Sequence, residues 1–244
     1  MIKISSLTKK FGSKTAVNAL DLHIKEGEFF CFLGPNGAGK TTTIKMLTGL
    51  MLPTEGEAWI GGHSVKTEPI QTKKLIGYIP DHPFLYEKLT GQEFMHFVAG
   101  LYEMNDPNLQ PKIDDLLEMF EISKVGNQLI ENYSHGMRQK LSFASCFLHD
   151  PKVVIVDEPW VGLDPKNIRR VKDFLKEKTV SEGLTVLMST HTLSIAEEIA
   201  DRIGIINLGN LLHVGTVPEI MALEESSDTL EDVFLELTQG DDAE

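Results

Sequence analysis

Gly34, Pro35, Asn36, Gly37, Ala38, Gly39, Lys40 and Thr41 follow the spacing G-x-x-x-x-G-K-[ST]. Glycines at these positions let a backbone wrap an anion, and amides at a helix N-terminus supply positive potential. In that chemistry Lys40 reaches the β- and γ-phosphates of a nucleotide and Thr41 holds Mg²⁺, with Thr42 in the same binding set. A second constellation, VVIVDEP at residues 153–159, ends an aliphatic run on two acids. A buried strand there delivers Asp157 and Glu158 to the carboxyl edge of a sheet, where ligands sit in open α/β folds. Asp157 would hold Mg²⁺ through water, and Glu158 is placed to polarise an attacking water. His191, in MSTHT, follows another apolar run and reaches the same edge, although a lone histidine is by itself more often structural than catalytic.

The elements that must position these residues are legible in outline. Residues 1–7 and 19–25 alternate as strands. Phe29–Leu33, 76–79, 153–156 and 185–189 are short apolar runs of buried-strand type, and 203–206 and 211–214 flank a turn at Gly209–Asn210. Residues 40–48 read as a helix closed by Gly49. The middle is helical: 90–101, opened by the capping-box pair Thr90 and Glu93, then 112–120 and 136–148. Asp164–Pro165 starts a helix through Glu182, 193–200 forms another, and Thr216 with Glu219 makes a second capping-box spacing. A short amphipathic helix spans 228–237, followed by an acidic, disordered end. Strands alternating with helices predict an α/β fold with a mostly parallel sheet flanked by helices.

Composition narrows the partners. The chain has 244 residues, 41% apolar and 24% charged, and a formal net charge of −13. That balance argues against nucleic acid, which needs clustered Lys and Arg, and against docking on anionic lipid. Cys31 and Cys146 each lie in apolar surroundings and read as buried thiols in a reducing compartment. There is no signal-peptide pattern and no run of about 18 apolar residues, so any membrane contact is expected through a protein partner.

Between the two phosphate motifs, NYSHGMRQKLSFA resembles the signature loop LSGGQ of ABC-type ATPases. Ser134 and Gly136 agree with that loop, whereas His135 stands for Gly and Met137 for Gln. WVGLDP resembles the family's D-loop, with Asp164 as its acid. His191 is similar in place to the switch histidine that contacts the γ-phosphate, and Phe11 to the aromatic that stacks on adenine. Asp81 stands where the family carries the Q-loop glutamine, and still suits a cation through water.

The resemblance implies a P-loop NTPase fold with an antiparallel β subdomain and a helical insert at about 82–148. It implies an ATP-binding domain over 1–225 and a C-terminal helix with acidic tail over 226–244. It also implies an ATPase of a transporter, using ATP and Mg²⁺. Such a subunit pairs head to tail with a second nucleotide-binding subunit, identical or paralogous, so that Ser134 donates across the interface. It lies on the cytoplasmic face of the membrane against a separate permease. Phe84 and Tyr86, after Asp81, either meet that permease or pack the helical insert. TLEDVFLELT resembles the tails of bacterial exporters, which favours export. The alternatives are an ABC ATPase not coupled to transport, another P-loop class, and an ATP-sensing module with a weakened site.

Overall fold

The computed structural model describes residues 1–160, 164–223 and 229–239. The chain opens on an antiparallel pair, β1 (Ile2–Phe11) and β2 (Lys14–Ile24). Next, β3 (Phe29–Leu33) runs through the Gly-rich loop into α1 (Lys40–Leu47). There follow β4 (Glu55–Ile60), the two-residue β5 (His63–Ser64), α2 (Pro69–Leu75) and β6 (Ile76–Ile79). Three helices come next: α3 (Gly91–Leu101), α4 (Leu109–Met119) and α5 (His135–Cys146). Alternation then resumes with β7 (Val153–Asp157), α6 (Pro165–Glu182), β8 (Thr185–Thr190) and α7 (Leu193–Ile199). The described chain closes with β9 (Arg202–Asn207), β10 (Asn210–Gly215), α8 (Val217–Met221) and α9 (Leu230–Gln239).

Two sheets result. The larger has the order β10-β9-β3-β8-β7-β6, parallel except for β10, and the smaller is antiparallel in the order β2-β1-β4-β5. The all-apolar runs of β3 and β7 are explained by burial on both faces. Phe29, Cys31 and Leu33 join a core with the helical insert, α6 and α7, whereas Phe30 and Phe32 join one with α1 and the antiparallel sheet. Val154 and Val156 face the first core, Val153 and Ile155 the second. The period of two along each strand thus assigns each side chain to one core.

Several boundaries agree with the sequence expectation: β3, β6 and α6 coincide with it, and both capping boxes form, at Thr90/Glu93 and Thr216/Glu219. Others are corrected. The first two strands are longer than 1–7 and 19–25, because edge residues pair without alternating burial. β4, β5 and α2 had no strong sequence signal; β4 opens on exposed residues and β5 has only two. The turn before β10 is Leu208–Gly209, at φ of 45° and 84°, and Asn210 already belongs to the strand. Helix α5 begins one residue early, so His135 is its first residue. The final helix is described from Leu230, with Thr229 exchanging hydrogen bonds with Asp232 at its start, and the expected start at Asp228 lies outside the described residues. The acidic end at 240–244, the 225/226 domain boundary and Val161–Leu163 of WVGLDP lie outside the described residues.

Candidate nucleotide site

The Gly-rich loop leaves β3 at the carboxyl edge of the large sheet. Two of its glycines are dictated by space. A Cβ on Gly34 would lie 2.3 Å from the Ile206 carbonyl oxygen, and one on Gly39 2.6 Å from that of Ala16. Gly39 also has φ of +110°. The loop is therefore wedged between β9 and β2, and the hairpin that carries Phe11 braces it. At Gly37, φ +84°, a Cβ would meet nothing within 4 Å. The loop is closed beneath and open above. Thr43 N–H is the first α1 amide to bond back, to the Gly39 carbonyl oxygen. The preceding amides of Lys40, Thr41 and Thr42 have no intrahelical acceptor and point out of the helix end.

Lys40 is buried, 5% exposed, and its ammonium donates to the carbonyl oxygens of Gly34 (2.6 Å) and Pro35 (3.1 Å). It also lies 3.4 Å from Glu158 Oε1. Three oxygens thus converge on one cation at the loop's mouth. Glu158 Oε2 pairs with His191 Nδ1. The chain at Glu158 turns through the left-handed region, φ +47°, and its N–H donates to Ser189, carbonyl oxygen and Oγ each at 3.2 Å. This unfavourable conformation for a non-glycine residue swings the carboxylate out of the strand line towards Lys40 and His191.

Asp157, the last residue of β7, is 1% exposed. Its Oδ1 accepts from Thr41 Oγ1 (3.2 Å) and Ser189 Oγ (2.5 Å), while Oδ2 is buried without a partner. Burial pushes its pKa above the usual carboxylate range; the Ser189 and Thr41 hydrogen bonds oppose this, and the charges of Asp81 and Glu158 add to it. Asp81 therefore lies within the field of Asp157, but its own carboxylate engages His82, through the backbone N–H (2.8 Å) and Nδ1 (3.0 Å). Phe11, 48% exposed, ends β1, with the Lys9 ammonium 5.3 Å from its ring centre.

Ser134 and Gly136 lie at the start of α5, and Asp164 lies at the start of α6. Ser134 is the exposed N-cap of α5 and accepts from Met137 N–H at 3.3 Å. The loop before it is held by Arg138, which donates to the Tyr133 carbonyl oxygen and to Glu87 (2.6 Å). Met137 has turned into the insert and packs against its core, the environment for which an apolar side chain substitutes well. His135 stands edge-on to His82, ring centres 6.4 Å apart. Asp164 caps α6, accepting from Asn167 N–H (2.9 Å) and Nδ2 (2.6 Å), which holds its pKa below the usual range. A cavity floored by Phe147 and Phe174 and rimmed by charged side chains lies elsewhere, between α4 and α6, and none of these residues lines it.

A family profile described as ABC transporter matches residues 17–161, more than half of the chain. The chain belongs to the ABC transporter family. It is 39% identical over 247 aligned residues to the uncharacterised ABC transporter ATP-binding protein YhcH of Bacillus subtilis, covering 100% of this chain and 77% of that protein. It is 37% identical over 212 residues to the bacitracin transport ATP-binding protein BcrA of Bacillus licheniformis, covering 87% and 68%. A solved ATP-binding subunit of an ABC transporter superposes with a TM-score of 0.89 at 30% identity, over 97% of this chain and 99% of that one. The dimeric cassette MJ0796, in a post-hydrolysis state with ADP and phosphate, superposes at 0.81 with 26% identity, over 88% and 98%. This ABC chain is accordingly an ATP-binding subunit and an ATPase, with the P-loop fold.

The donor set suits Mg²⁺. A buried carboxylate oxygen with no partner, beside a threonine hydroxyl, matches a hard cation that takes few protein ligands and keeps water and phosphate oxygens for the rest. Among the described residues no cluster of three or more His, Cys, Asp or Glu forms a cation cage, as such a site requires none. Two residues of the site escaped the sequence reading. Gln139 is fully buried and its Nε2 donates to the Pro159 carbonyl oxygen (3.2 Å), tying the helix that starts at Ser134 to the segment just after Glu158. Ser189 joins Asp157 to Glu158. Neither stands in a recognisable spacing; only strand register and helix packing bring them in.

Proposed function

We propose that this ABC ATPase is the motor of a transporter, burning ATP with Mg²⁺ at a site completed by a second nucleotide-binding subunit, and driving a separate membrane permease, in the direction of export. Gly34 to Thr42 and Phe11 would hold the nucleotide. Asp157 and Thr41 would hold Mg²⁺, with Asp81 reaching it through water. A Mg²⁺ held by these residues would supply charge neutralisation to the phosphates. Lys40 would exchange its carbonyl contacts for phosphate oxygens, stronger charge-assisted acceptors. Glu158, freed from Lys40, would take a proton from the attacking water. With His191 Nδ1 donating to Glu158, Nε2 can donate to phosphate only from the doubly protonated ring. Ser134, Gly136 and Asp164 would serve the partner's nucleotide, each standing at the N-terminal end of a helix. The ATP-binding unit on this reading runs from 1 to 225, with its helical insert at about 82–148.

The observation that carries the coupling to a permease is an exposed apolar cleft where the helical insert meets the large sheet. Leu50, Tyr78, Val98, Leu101 and Tyr102 line it, and Leu50 and Leu101 are 63% and 66% exposed. Beside α3, Phe84 is 87% exposed and Tyr86 only leans on Phe97, ring centres 5.0 Å apart. Of the two readings of this pair, Phe84 therefore does not pack the insert. Apolar side chains so exposed mark a surface that is covered by a partner. No described helix is long and apolar enough to cross a membrane. The transport proteins among its relatives support that partner and the inner membrane face as its place.

The test is capture of the tagged chain from detergent-solubilised native membranes, for wild type and for Phe84→Asp with Leu101→Glu. A stoichiometric multi-span protein recovered with wild type, and lost with the variant while its ATPase activity persists, is expected. Recovery with ribosomal proteins, or with no membrane protein at all, would overturn the transporter reading.

A further inference from the structure

We infer that Ser189 is a positioning residue that holds both acids of the site at once, aiming Asp157 at the cation and fixing the turn of Glu158. Parallel pairing of β7 with β8 sets Ser189 directly beside Asp157. Ser189 is fully buried, and a hydroxyl has one proton to donate. That proton goes to Asp157 Oδ1 at 2.5 Å, and the oxygen accepts the Glu158 N–H at 3.2 Å. The hydroxyl has no freedom left to rotate. Because Thr41 bonds the same Oδ1, both donors fall on one oxygen, and Oδ2 is the oxygen left without a partner. The second bond acts on the backbone of Glu158, whose φ of +47° needs outside support. One buried serine thus couples the cation side of the site to the base side.

The inference rests on reading Asp157 as the Mg²⁺ residue, and the experiment separates the two. Mn²⁺ binding to the ADP-loaded full chain is measured by electron paramagnetic resonance, and binding of a fluorescent ATP analogue is measured in EDTA. Ser189→Ala removes the hydroxyl, and Ser189→Cys keeps the shape, with a slightly larger atom that is a weak donor. Both are expected to lose Mn²⁺ affinity by about ten-fold, the order seen when a partner that orients a metal-binding side chain is removed. Nucleotide binding in EDTA is expected to stay unchanged, and kcat at saturating Mg²⁺ to fall with little change in KM for ATP. Unchanged Mn²⁺ affinity in both serine variants, with Asp157→Asn losing it, would show that Ser189 only packs. Unchanged affinity in Asp157→Asn as well would remove the reading beneath it. An equal loss of EDTA binding would overturn the inference in favour of general distortion.

Discussion

The carboxyl edge of the parallel sheet and the tip of the helical insert both present groups suited to phosphate, and they differ in almost every physical respect. At the edge, Lys40, Asp157 and Ser189 are buried, interlocked and backed by strands whose register sets their separations. At the tip, Ser134 is exposed, its hydroxyl oxygen accepts the Met137 N–H as the cap of α5, and the loop is pinned by side chains on the surface. Charges act strongly in the dry edge and weakly in the wet tip. On the proposed reading, one half of a site is finished within a single chain, and the other is a helix end that would gain strength when a partner covers it and removes the water.

That contrast is broken most severely at Glu158. Glu158→Gln should lower kcat by about 10²–10⁴-fold, the usual worth of a general base, while ATP binding persists. Size-exclusion chromatography in ATP should then show a trapped dimer; a monomer alone would mean that the two halves do not meet. Lys40→Ala should cost about 10²–10³-fold in phosphate release, comparable to loss of a preorganised donor, and unlike Glu158→Gln should also weaken nucleotide binding to the isolated chain. Ser134→Ala should reduce ATPase activity by about ten-fold, as befits a helix-terminus contact worth up to about 2 kcal/mol, with ATP binding to dilute monomer unchanged. If binding to monomer falls as well, the tip serves its own chain and the contrast fails.

Two smaller effects concern stability. Thr90→Ala removes the capping-box hydroxyl of α3 and should cost about 1 kcal/mol in urea denaturation without touching nucleotide affinity. Asp157 has a raised pKa in the folded chain, so its protonated form is the favoured one there. Its contribution is complete below the unfolded carboxylate pKa and is lost as pH rises through the folded value. Asp157→Asn should therefore raise Tm slightly in EDTA at neutral pH, and flatten the fall in stability as pH leaves the acid range. Mg²⁺ with nucleotide should raise the Tm of wild type and not of Asp157→Asn. A lower Tm for Asp157→Asn in EDTA would show that the acid is placed for stability and not for a cation.

Much of the edge was legible beforehand because its chemistry is local. Eight consecutive residues make the phosphate loop, and four aliphatics followed by two acids make the second motif. The capping boxes at Thr90 and Thr216 were equally plain, since each is complete within four residues. The tip was legible only as a departure: His135 and Met137 looked like losses, but Met137 has found a core to pack in. β4 and β5 were missed because exposed and half-buried positions at the start of β4 erase the alternation on which a strand reading depends.

By itself the sequence determined which chemistry is present: the phosphate loop, the acid pair after β7, the helix caps and the strand–helix alternation. Each depends on neighbours a few residues apart, whose geometry the backbone dictates. Tertiary structure alone decided that Ser189 meets Asp157, 32 positions away, that Gln139 reaches Pro159, and that Phe84 and Leu101 stand uncovered. Those outcomes depend on strand register and helix packing, where hydrogen bonds and burial join residues that no sequence spacing relates.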